Sequence, residues 1–399
     1  MLSNDAGVMS PSGMDRRTWT LAMLGGMAWP VGAGAGVASP STGRRILHVP
    51  FVAAETGFDP TQIGDLYSNT VTPHIFEALY RYDPLAMPLK VKPLTAAAMP
   101  EASADFTRWT VRLRPGIFFA GDPAFHGRRR ELVANDYVYT FKRYFDPATR
   151  SPGYSTVRDL GFIGLDALRE ESLRSLKAFD YDAEIDGLRA VDRYTLQFRL
   201  QAPRPRFLST LCNSSSFGAV AREVVEFYGD QIMAHPVGTG PYRLKEWRRS
   251  SRIVLEKSPD FREERYDAEP AAADVQGQEW LARFKGRLLP LNEGVEIAVI
   301  EESQPRWLAF LNGELDFIRV PIEYAETAVP LGQRAPNLAK RQIQARRYLN
   351  PDYVMAWFNM EDPVVGGYTA DKVALRRAIG LAYDIEREIT VVRRGQAVA

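Results

Sequence analysis

The chain has 399 residues, and its 50 Lys and Arg residues nearly balance its 49 Asp and Glu residues, which leaves a formal net charge of +1. This balance gives no electrostatic basis for binding nucleic acid, and the length favours two or more domains over a single core. The single cysteine, Cys212, excludes an intrachain disulfide. We therefore expect stability to come from packing, and we interpret Cys212 as a small buried hydrophobe.

The first 38 residues predict an export signal. Arg16 and Arg17 precede a stretch without charges from Thr18 to Gly43, and small residues lie near its end, as in a secretory leader. Paired arginines before an aromatic residue resemble a twin-arginine signal, and export by the twin-arginine or the Sec route stays open. A membrane-spanning helix is the alternative, which Pro30 and several glycines disfavour. Because no cysteine follows the apolar segment, we predict a soluble periplasmic protein without a lipid anchor.

Residues 45–242 predict alternating strands and helices. A helix is predicted over 71–82, because Ile75, Leu79 and Tyr82 recur on one side. Gly238 and Gly240 are expected to permit unusual backbone angles in a turn. Strands are further predicted at 45–51, 109–114, 117–119 after a turn, and 194–200, and helices at 135–145, at 158–181 and in a short segment ending at Leu211.

The later residues continue this α/β pattern. Strands are predicted at 253–256, 295–300, 315–318 and 354–359, with a short helix near Trp280. A helix from Ser303 to Asn312, ended by Gly313, connects two of these strands, which predicts a parallel or mixed sheet with a helix on its face. A last helix over 371–388 has a stripe of apolar residues: Leu375, Ala378, Ile379, Ala382 and Tyr383.

The residue types that carry catalysis lack the spacing that catalysis requires. The four histidines are scattered and have no partner cysteines, so neither a metal nor another cofactor is expected. The sequence contains no nucleophile elbow and no phosphate-binding glycine loop. Residues 213–218, rich in serine, form either a polar loop or a set of hydroxyl groups for a ligand, and both interpretations stay open. We predict that the protein is not an enzyme, with a secreted enzyme of unrecognised active site as the alternative.

Six segments in order carry a resemblance to a known family. They are Ile75 to Pro84, Trp109 to Phe119, Glu131 to Pro147, Val237 to Tyr242, Arg306 to Asp316, and Phe358 and Asn359 followed by Leu375 to Glu386. Together they resemble the bacterial extracellular solute-binding proteins of family five, the oligopeptide, dipeptide and nickel-binding class of ABC importers. Residues 121–130 and 259–292 are longer than is usual in that family, which leaves the class of ligand open.

The resemblance implies an α/β fold of the periplasmic-binding-protein type, in an enlarged type II form with mixed sheets and flanking helices. The first lobe would span 39–300, including an inserted subdomain at about 85–200. The second lobe would begin at 301 and be incomplete at 399, because members of the family continue beyond this point.

The resemblance also implies how the protein works. A peptide or a similar small solute would bind in a cleft between the lobes, and a monomer would deliver it to an inner-membrane ABC permease, without a cofactor and without nucleic acid. Seven residues are candidates for ligand binding by their position in the family pattern, and ordinary packing is the alternative for each. They are Phe58, Tyr67, Ser215, Ser216, Phe217, Tyr353 and Trp357.

Overall fold

The computed structural model describes residues 2–9, 45–349 and 353–398. The arginine pair and the apolar run of the predicted export signal lie outside these residues. The fold divides into two compact units. Unit 1 contains His48–Val52 and Ile300–Ala399 together with the N-terminal strand, and unit 2 contains Gly43–Leu47 and Ala53–Val299. The lobes and the inserted subdomain expected from the resemblance stay predictions.

The strands are short and are spread over both units. In chain order they are β1 (Leu2–Met9), β2 (Ile46–Phe51), β3 (Tyr80–Tyr82), β4 (Val91–Pro93), β5 (Glu101–Ala102), β6 (Arg108–Arg112), β7 (Leu188–Ala190), β8 (Thr195–Arg199), β9 (Tyr242–Arg248), β10 (Arg252–Lys257), β11 (Gly294–Val299), β12 (Phe317–Arg319), β13 (Gln344–Leu349) and β14 (Ala397–Val398).

The helices are also short. They are α1 (Leu66–Val71), α2 (Ala134–Arg143), α3 (Tyr154–Arg158), α4 (Leu165–Ser175), α5 (Phe207–Thr210), α6 (Ser214–Phe217), α7 (Arg222–Tyr228), α8 (Val275–Phe284), α9 (Ser303–Asn312), α10 (Ala325–Ala328), α11 (Pro336–Lys340), α12 (Ala370–Ala382) and α13 (Ile385–Arg387). Within the described part of the chain, none of these helices has the length and apolar character needed to cross a membrane.

The main core of unit 2 lies between α2 and a sheet of order β5-β6-β8-β7. β6 and β8 are antiparallel and place Trp109 opposite Phe198, and both side chains are buried as the alternating pattern predicts. Phe141 of α2 packs edge-on against Phe198, with ring centroids 5.6 Å apart. α2 begins at Ala134, and the carboxylate of Asp136 accepts a hydrogen bond of 2.8 Å from the amide of Val133, which satisfies a free N–H at the helix start.

A second sheet has the order β2-β11-β10-β9, and its strands confirm the predictions made for 45–51, 253–256 and 295–300. In unit 1, β1 lies between β12 and β13 and is antiparallel to both. β11 and β12 therefore belong to different sheets, and the prediction that α9 connects two strands of one sheet is wrong. The predicted end of α9 is confirmed, because Gly313 has a φ of 74°.

The helix predicted over 71–82 is wrong. α1 ends at Val71, a short 3-10 turn follows, and the chain reaches β3 without further helix. The amides of Ile75 and Phe76 still donate to the carbonyl of Thr72, but the carbonyls that follow accept from other segments. The carbonyl of Ile75 accepts from the amide of Gly240 at 2.8 Å, and the carbonyl of Glu77 accepts from the amide of Ala219 at 3.1 Å. Ile75 and its neighbour Phe76 are both buried, whereas Tyr82 is 40% exposed, so burial does not follow one side of a helix and the spacing only imitates a helical stripe.

Gly238 and Gly240 are needed for close packing. Neither has a positive φ, so the expected unusual backbone angles are absent. A Cβ on Gly240 would lie 2.6 Å from the carbonyl oxygen of Ile75, and one on Gly238 would collide with the same oxygen. The glycines allow this turn to lie directly against residues 74–76.

Candidate functional site

The N-terminus of α1 is fixed by hydrogen bonds that also position Tyr67. Asp65 accepts from the amide of Ser68 at 2.8 Å and from the hydroxyl of Thr56 at 2.5 Å. Ser68 in turn accepts from the amides of Thr56 and Gly57, at 3.0 and 3.3 Å. Burial alone would raise the pKa of Asp65, but these hydrogen bonds outweigh burial and hold the pKa below its ordinary value. These hydrogen bonds join the loop at Thr56 and Gly57 to α1, which carries the half-buried Tyr67.

Phe58 lies in the packed interior of unit 2, with no exposed surface. Its amide donates to the carbonyl of Met233 at 2.9 Å, and its ring meets Trp247 edge-on with centroids 4.9 Å apart. Trp247 is held by a hydrogen bond of 2.5 Å from its indole nitrogen to the carboxylate of Glu55. A ligand could touch Phe58 only after a neighbouring side chain moves, and its predicted role in binding stays a prediction.

A buried ion pair fixes the segment that follows Phe58. The guanidinium of Arg143 donates to both carboxylate oxygens of Asp59, at 2.6 and 2.7 Å, and Gln62 donates a third hydrogen bond at 2.6 Å. Burial pushes the pKa of Asp59 upward, but the Arg143 charge and these hydrogen bonds outweigh burial and keep the pKa below its ordinary value. Bidentate geometry of this kind gives the pair a defined orientation, so the segment is held rigidly on α2.

Tyr144, directly after α2, connects two of the candidate segments. Its hydroxyl lies 2.6 Å from the carbonyl oxygen of Ser216 and 3.0 Å from that of Pro60, and it can donate to either. Pro60 follows the Phe58 segment, and Ser216 belongs to α6. α6 also contacts α1. The structure therefore brings Tyr67, Ser215 and Ser216 onto two neighbouring short helices of unit 2.

The serines of α6 have local partners. The side-chain oxygen of Asn213 caps the helix by accepting from the amides of Ser215 and Ser216, at 3.1 and 3.3 Å. The hydroxyl of Ser215 donates to the same oxygen at 2.7 Å, and that of Ser216 lies 3.2 Å from the Asn213 amide nitrogen. Both serines are half-buried. The segment is thus a helix cap with accessible hydroxyl groups, and its role toward a ligand stays open.

Phe217 is buried at 6% exposure. It stacks on Phe141 with ring centroids 4.8 Å apart and an interplanar angle of 16°, and it lies 5.7 Å from the ring of Tyr144. In this structure Phe217 supports α6 from the core. Its predicted contact with a ligand is untested.

The remaining two candidates belong to unit 1. Tyr353 and Trp357 are 65% and 79% exposed, and they lie in residues 353–359, which have no regular secondary structure. The strand predicted for 354–359 is therefore wrong. The seven candidates form two groups, one in each unit, and the segments of the group in unit 2 are joined by the hydrogen bonds of Asp59, Asp65 and Tyr144.

The chemistry of these groups suits non-covalent contact. Hydroxyls, aromatic rings and backbone groups bind a ligand without bonding to it covalently. Burial raises the pKa of the Cys212 thiol to about 11, so little nucleophilic thiolate is present at neutral pH. Over the described ranges 2–9, 45–349 and 353–398, no three His, Cys, Asp or Glu side chains are grouped so that they could hold a metal ion.

Three supporting residues were missed by sequence reasoning. They are Trp247, and Arg143 and Tyr144 of the Glu131 to Pro147 segment, to which the sequence assigned no role at the site. One signal could have found Arg143. It lies beside the aromatic stripe of a predicted helix, where burial is expected, and a guanidinium group is rarely buried unless it is paired with a carboxylate.

Comparison with known proteins identifies the family. The sequence profile of the bacterial extracellular solute-binding proteins, family 5 Middle, matches residues 90–399. The chain belongs to this family of solute-binding proteins. Its α/β fold is confirmed by the structure of the ABC transporter-associated periplasmic binding protein DppA from Helicobacter pylori in complex with peptide STSA, with a TM-score of 0.58, 20% sequence identity and coverage of 88% of this chain and 59% of that chain.

Two curated relatives show how much of a family protein the chain represents. The probable ABC transporter periplasmic-binding protein SapA of Escherichia coli is 30% identical over 319 residues, which cover 77% of this chain and 49% of SapA. The periplasmic oligopeptide-binding protein OppA of Salmonella typhimurium is 30% identical over 206 residues, covering 51% of this chain and 34% of OppA. The matches span between a third and a half of these relatives.

Proposed function

We propose that the chain is the substrate-binding component of an ABC importer and that it binds peptides or a similar small solute. The observation that carries this proposal is the family match over residues 90–399. The relatives named above support the ligand class, because one is an oligopeptide-binding protein and another was solved with a bound peptide. The chain would be exported to the periplasm and act as a monomer with an inner-membrane permease. The cleft expected between two lobes remains a prediction.

The hydrogen-bonded group in unit 2 supports binding without catalysis. Tyr67 and the serines of α6 are accessible, and the segments beneath them are fixed by the Asp59–Arg143 pair and by Tyr144. A site held in place before the ligand arrives loses less entropy on binding. Tyrosine adds apolar contact area with few rotatable bonds, and hydroxyls can bond to the peptide backbone whatever the side chains of the peptide.

Binding is tested by native mass spectrometry of the 399-residue chain with defined tri- to pentapeptides of mixed sequence. We expect one peptide per chain, recovered with an unchanged mass, and a rise in the thermal midpoint. Tyr67→Ala should weaken binding at least tenfold. Tyr82→Ala is the matched control, because Tyr82 is 40% exposed on β3 and is not a candidate.

The outcomes separate the two function classes. Peptides recovered in cleaved form would support the alternative of a secreted enzyme. If no peptide gives a complex or a thermal shift, the binding function proposed for this chain is rejected. Equal losses of affinity in Tyr67→Ala and Tyr82→Ala would reject Tyr67 as a ligand contact while leaving the binding function intact.

A further inference from the structure

A cavity of about 910 Å³ in unit 2 is separate from the candidate residues discussed above. It is lined by α2 and by residues 163–164, 181–186 and 188–191, and none of the seven candidates is among them. Cavities of about 300–1,000 Å³ are typical of sites that bind small molecules. The volume is therefore large enough for a solute of the size of an amino acid or a dipeptide.

One side of α2 is directed at this cavity. Asn135, Val138 and Lys142 all line it, and their spacing of three and four residues places them on the same side of a helix. Apolar side chains from other segments complete the walls, namely Ile163, Ile185, Leu188 and Val191. The cavity thus combines apolar walls with the amino group of a lysine.

Lys142 is buried at 3% exposure. Its Nζ donates to the carbonyl oxygens of Tyr181 and Ala183, at 2.8 and 2.6 Å. Burial lowers the pKa of Lys142, and the charges of Asp180 and Asp182 oppose this without hydrogen bonds to the amine. An ammonium group has three N–H donors, and the described residues accept from two of them. One donor is therefore left for an acceptor in the cavity, and a charged acceptor would offset the burial of the ammonium.

Glu184 supplies a negative charge at the same cavity. It directly follows Ala183, whose carbonyl accepts from Lys142, and it is exposed. The neighbouring carboxylate of Asp182 is paired with Arg222 at 2.6 Å. Within the part of the chain that the structure describes, no cation lies at ion-pairing distance from Glu184. The cavity therefore offers a buried positive group and an accessible negative group.

The charges around the cavity disfavour ligands of a single sign. Lys142 and Arg189 carry the positive charges, and the negative ones are those of Asp182, Glu184 and Asp186. The carboxylates would repel a simple anion at the lysine, and a simple cation would leave the lysine without a charged acceptor. A molecule with one charge of each sign is complementary to both groups.

We propose that this cavity binds a zwitterionic amino acid or dipeptide with an apolar side chain. The carboxylate of the ligand accepts from the free N–H of Lys142, its ammonium group lies near Glu184, and its side chain contacts the apolar walls. This site does not depend on the function proposed above, because it uses none of the seven candidates.

The ligand class is tested by isothermal titration calorimetry of the 399-residue chain. The probes are L-leucine and leucyl-leucine, which separate the two sources of a zwitterion. The controls are 4-methylpentanoate, which is leucine without its ammonium group, and isoamylamine, which is leucine without its carboxylate. We expect the tighter of the two zwitterions to bind at least about fivefold better than either control. If neither zwitterion binds, or if a control binds equally well, the proposal is overturned.

Variants test the two charged groups. Glu184→Gln should weaken binding of the zwitterion about fivefold. Glu170→Gln is the matched control, because Glu170 is exposed on α4 and does not line the cavity. Lys142→Met should weaken binding about a hundredfold, but it also removes the donor to two carbonyls. The exposed Glu184 therefore decides, and equal affinities of Glu184→Gln and Glu170→Gln would contradict the proposal.

Hydrogen exchange measured by mass spectrometry locates the site. Saturating zwitterion should slow exchange in peptides that cover residues 181–191, since the ligand would contact this segment and α2 together. Slower exchange elsewhere in the chain, with residues 181–191 unchanged, would show that the ligand binds at another place and would overturn the proposal.

Discussion

Asp59→Asn removes the charge that compensates the buried guanidinium of Arg143. The pair is almost fully enclosed, with side-chain exposures of 2% for Arg143 and 1% for Asp59. Among the residues that the structure describes, the nitrogen Nε of Arg143 has no hydrogen-bond partner. The asparagine can keep one acceptor, but it leaves a positive charge in the interior without a counter-ion.

The expected cost follows from the burial of the pair. Removing one partner of a buried ion pair costs about 3–5 kcal/mol, because the other charge is left uncompensated. A domain is stable by about 5–15 kcal/mol in total, so the substitution should remove a large share of the stability of unit 2. Adding Arg143→Met should restore part of the loss, since an apolar side chain does not need a counter-ion.

Hydrogen exchange measured by mass spectrometry on peptides from α2 reports this change within unit 2. The free energy of opening should fall by the amount given above in Asp59→Asn and partly recover in the double variant. Asp230→Asn is the control, because it removes the same charge from an exposed carboxylate of the same unit.

The difference in stability between the natural chain and Asp59→Asn should depend on pH and become smaller in acid. The pKa of Asp59 in the folded state lies below its ordinary value, so the ion pair contributes its full stability above the unfolded pKa of about 3.9. That contribution is lost as the pH falls through the folded pKa. The difference in stability between the natural chain and Asp59→Asn should therefore be constant from pH 7 to about pH 5 and shrink below about pH 4. A loss of less than about 1 kcal/mol at pH 7, or a difference that grows in acid, would refute this account of the pair.

Three further predictions use the same chain. Gly238→Ala should lower the thermal midpoint markedly because its Cβ meets a backbone carbonyl, whereas Gly380→Ala, with nothing within 4 Å, should leave it unchanged or raise it. Tyr144→Phe should cost about 1–3 kcal/mol in chemical denaturation by leaving a carbonyl without its donor, and an unchanged midpoint would contradict the bridging role. Replacing Arg16 and Arg17 with lysine should stop export of the chain by a twin-arginine route, measured by cell fractionation, whereas continued export would indicate the Sec route.

Strands with one buried face were predictable from sequence. Trp109 and Val111 alternate with polar neighbours in β6, and Leu196 and Phe198 do so in β8; the structure pairs these strands in register. The alternation carries the whole signal, because side chains in a strand point to opposite faces in turn. The order of the sheet strands was not predictable, since neighbours such as β8 and β6 are separated by more than eighty residues and no local pattern encodes their pairing.

The site in unit 2 was predictable only in part. Sequence placed Phe58, Tyr67 and the serines of α6 as candidates, but it could not show that Tyr144 connects their segments, because this connection uses backbone carbonyls. Carbonyl groups are present at every residue, so their partners leave no trace in composition or spacing. The same reason explains the wrong helix over 71–82, in which the carbonyls of Ile75 and Glu77 accept hydrogen bonds from Gly240 and Ala219.

The errors in unit 1 have a different physical cause. The patterns of 354–359 and of α12 are those of segments that bury apolar side chains, and the structure leaves both uncovered. A hydrophobic pattern predicts that a face needs a partner and does not specify where the partner is encoded. For β6 and β8 of unit 2 the partner lies within the same chain, and pattern and structure agree. In unit 1 the helix α12 is formed, and Leu375 and Ile379 on it are 39% and 44% exposed.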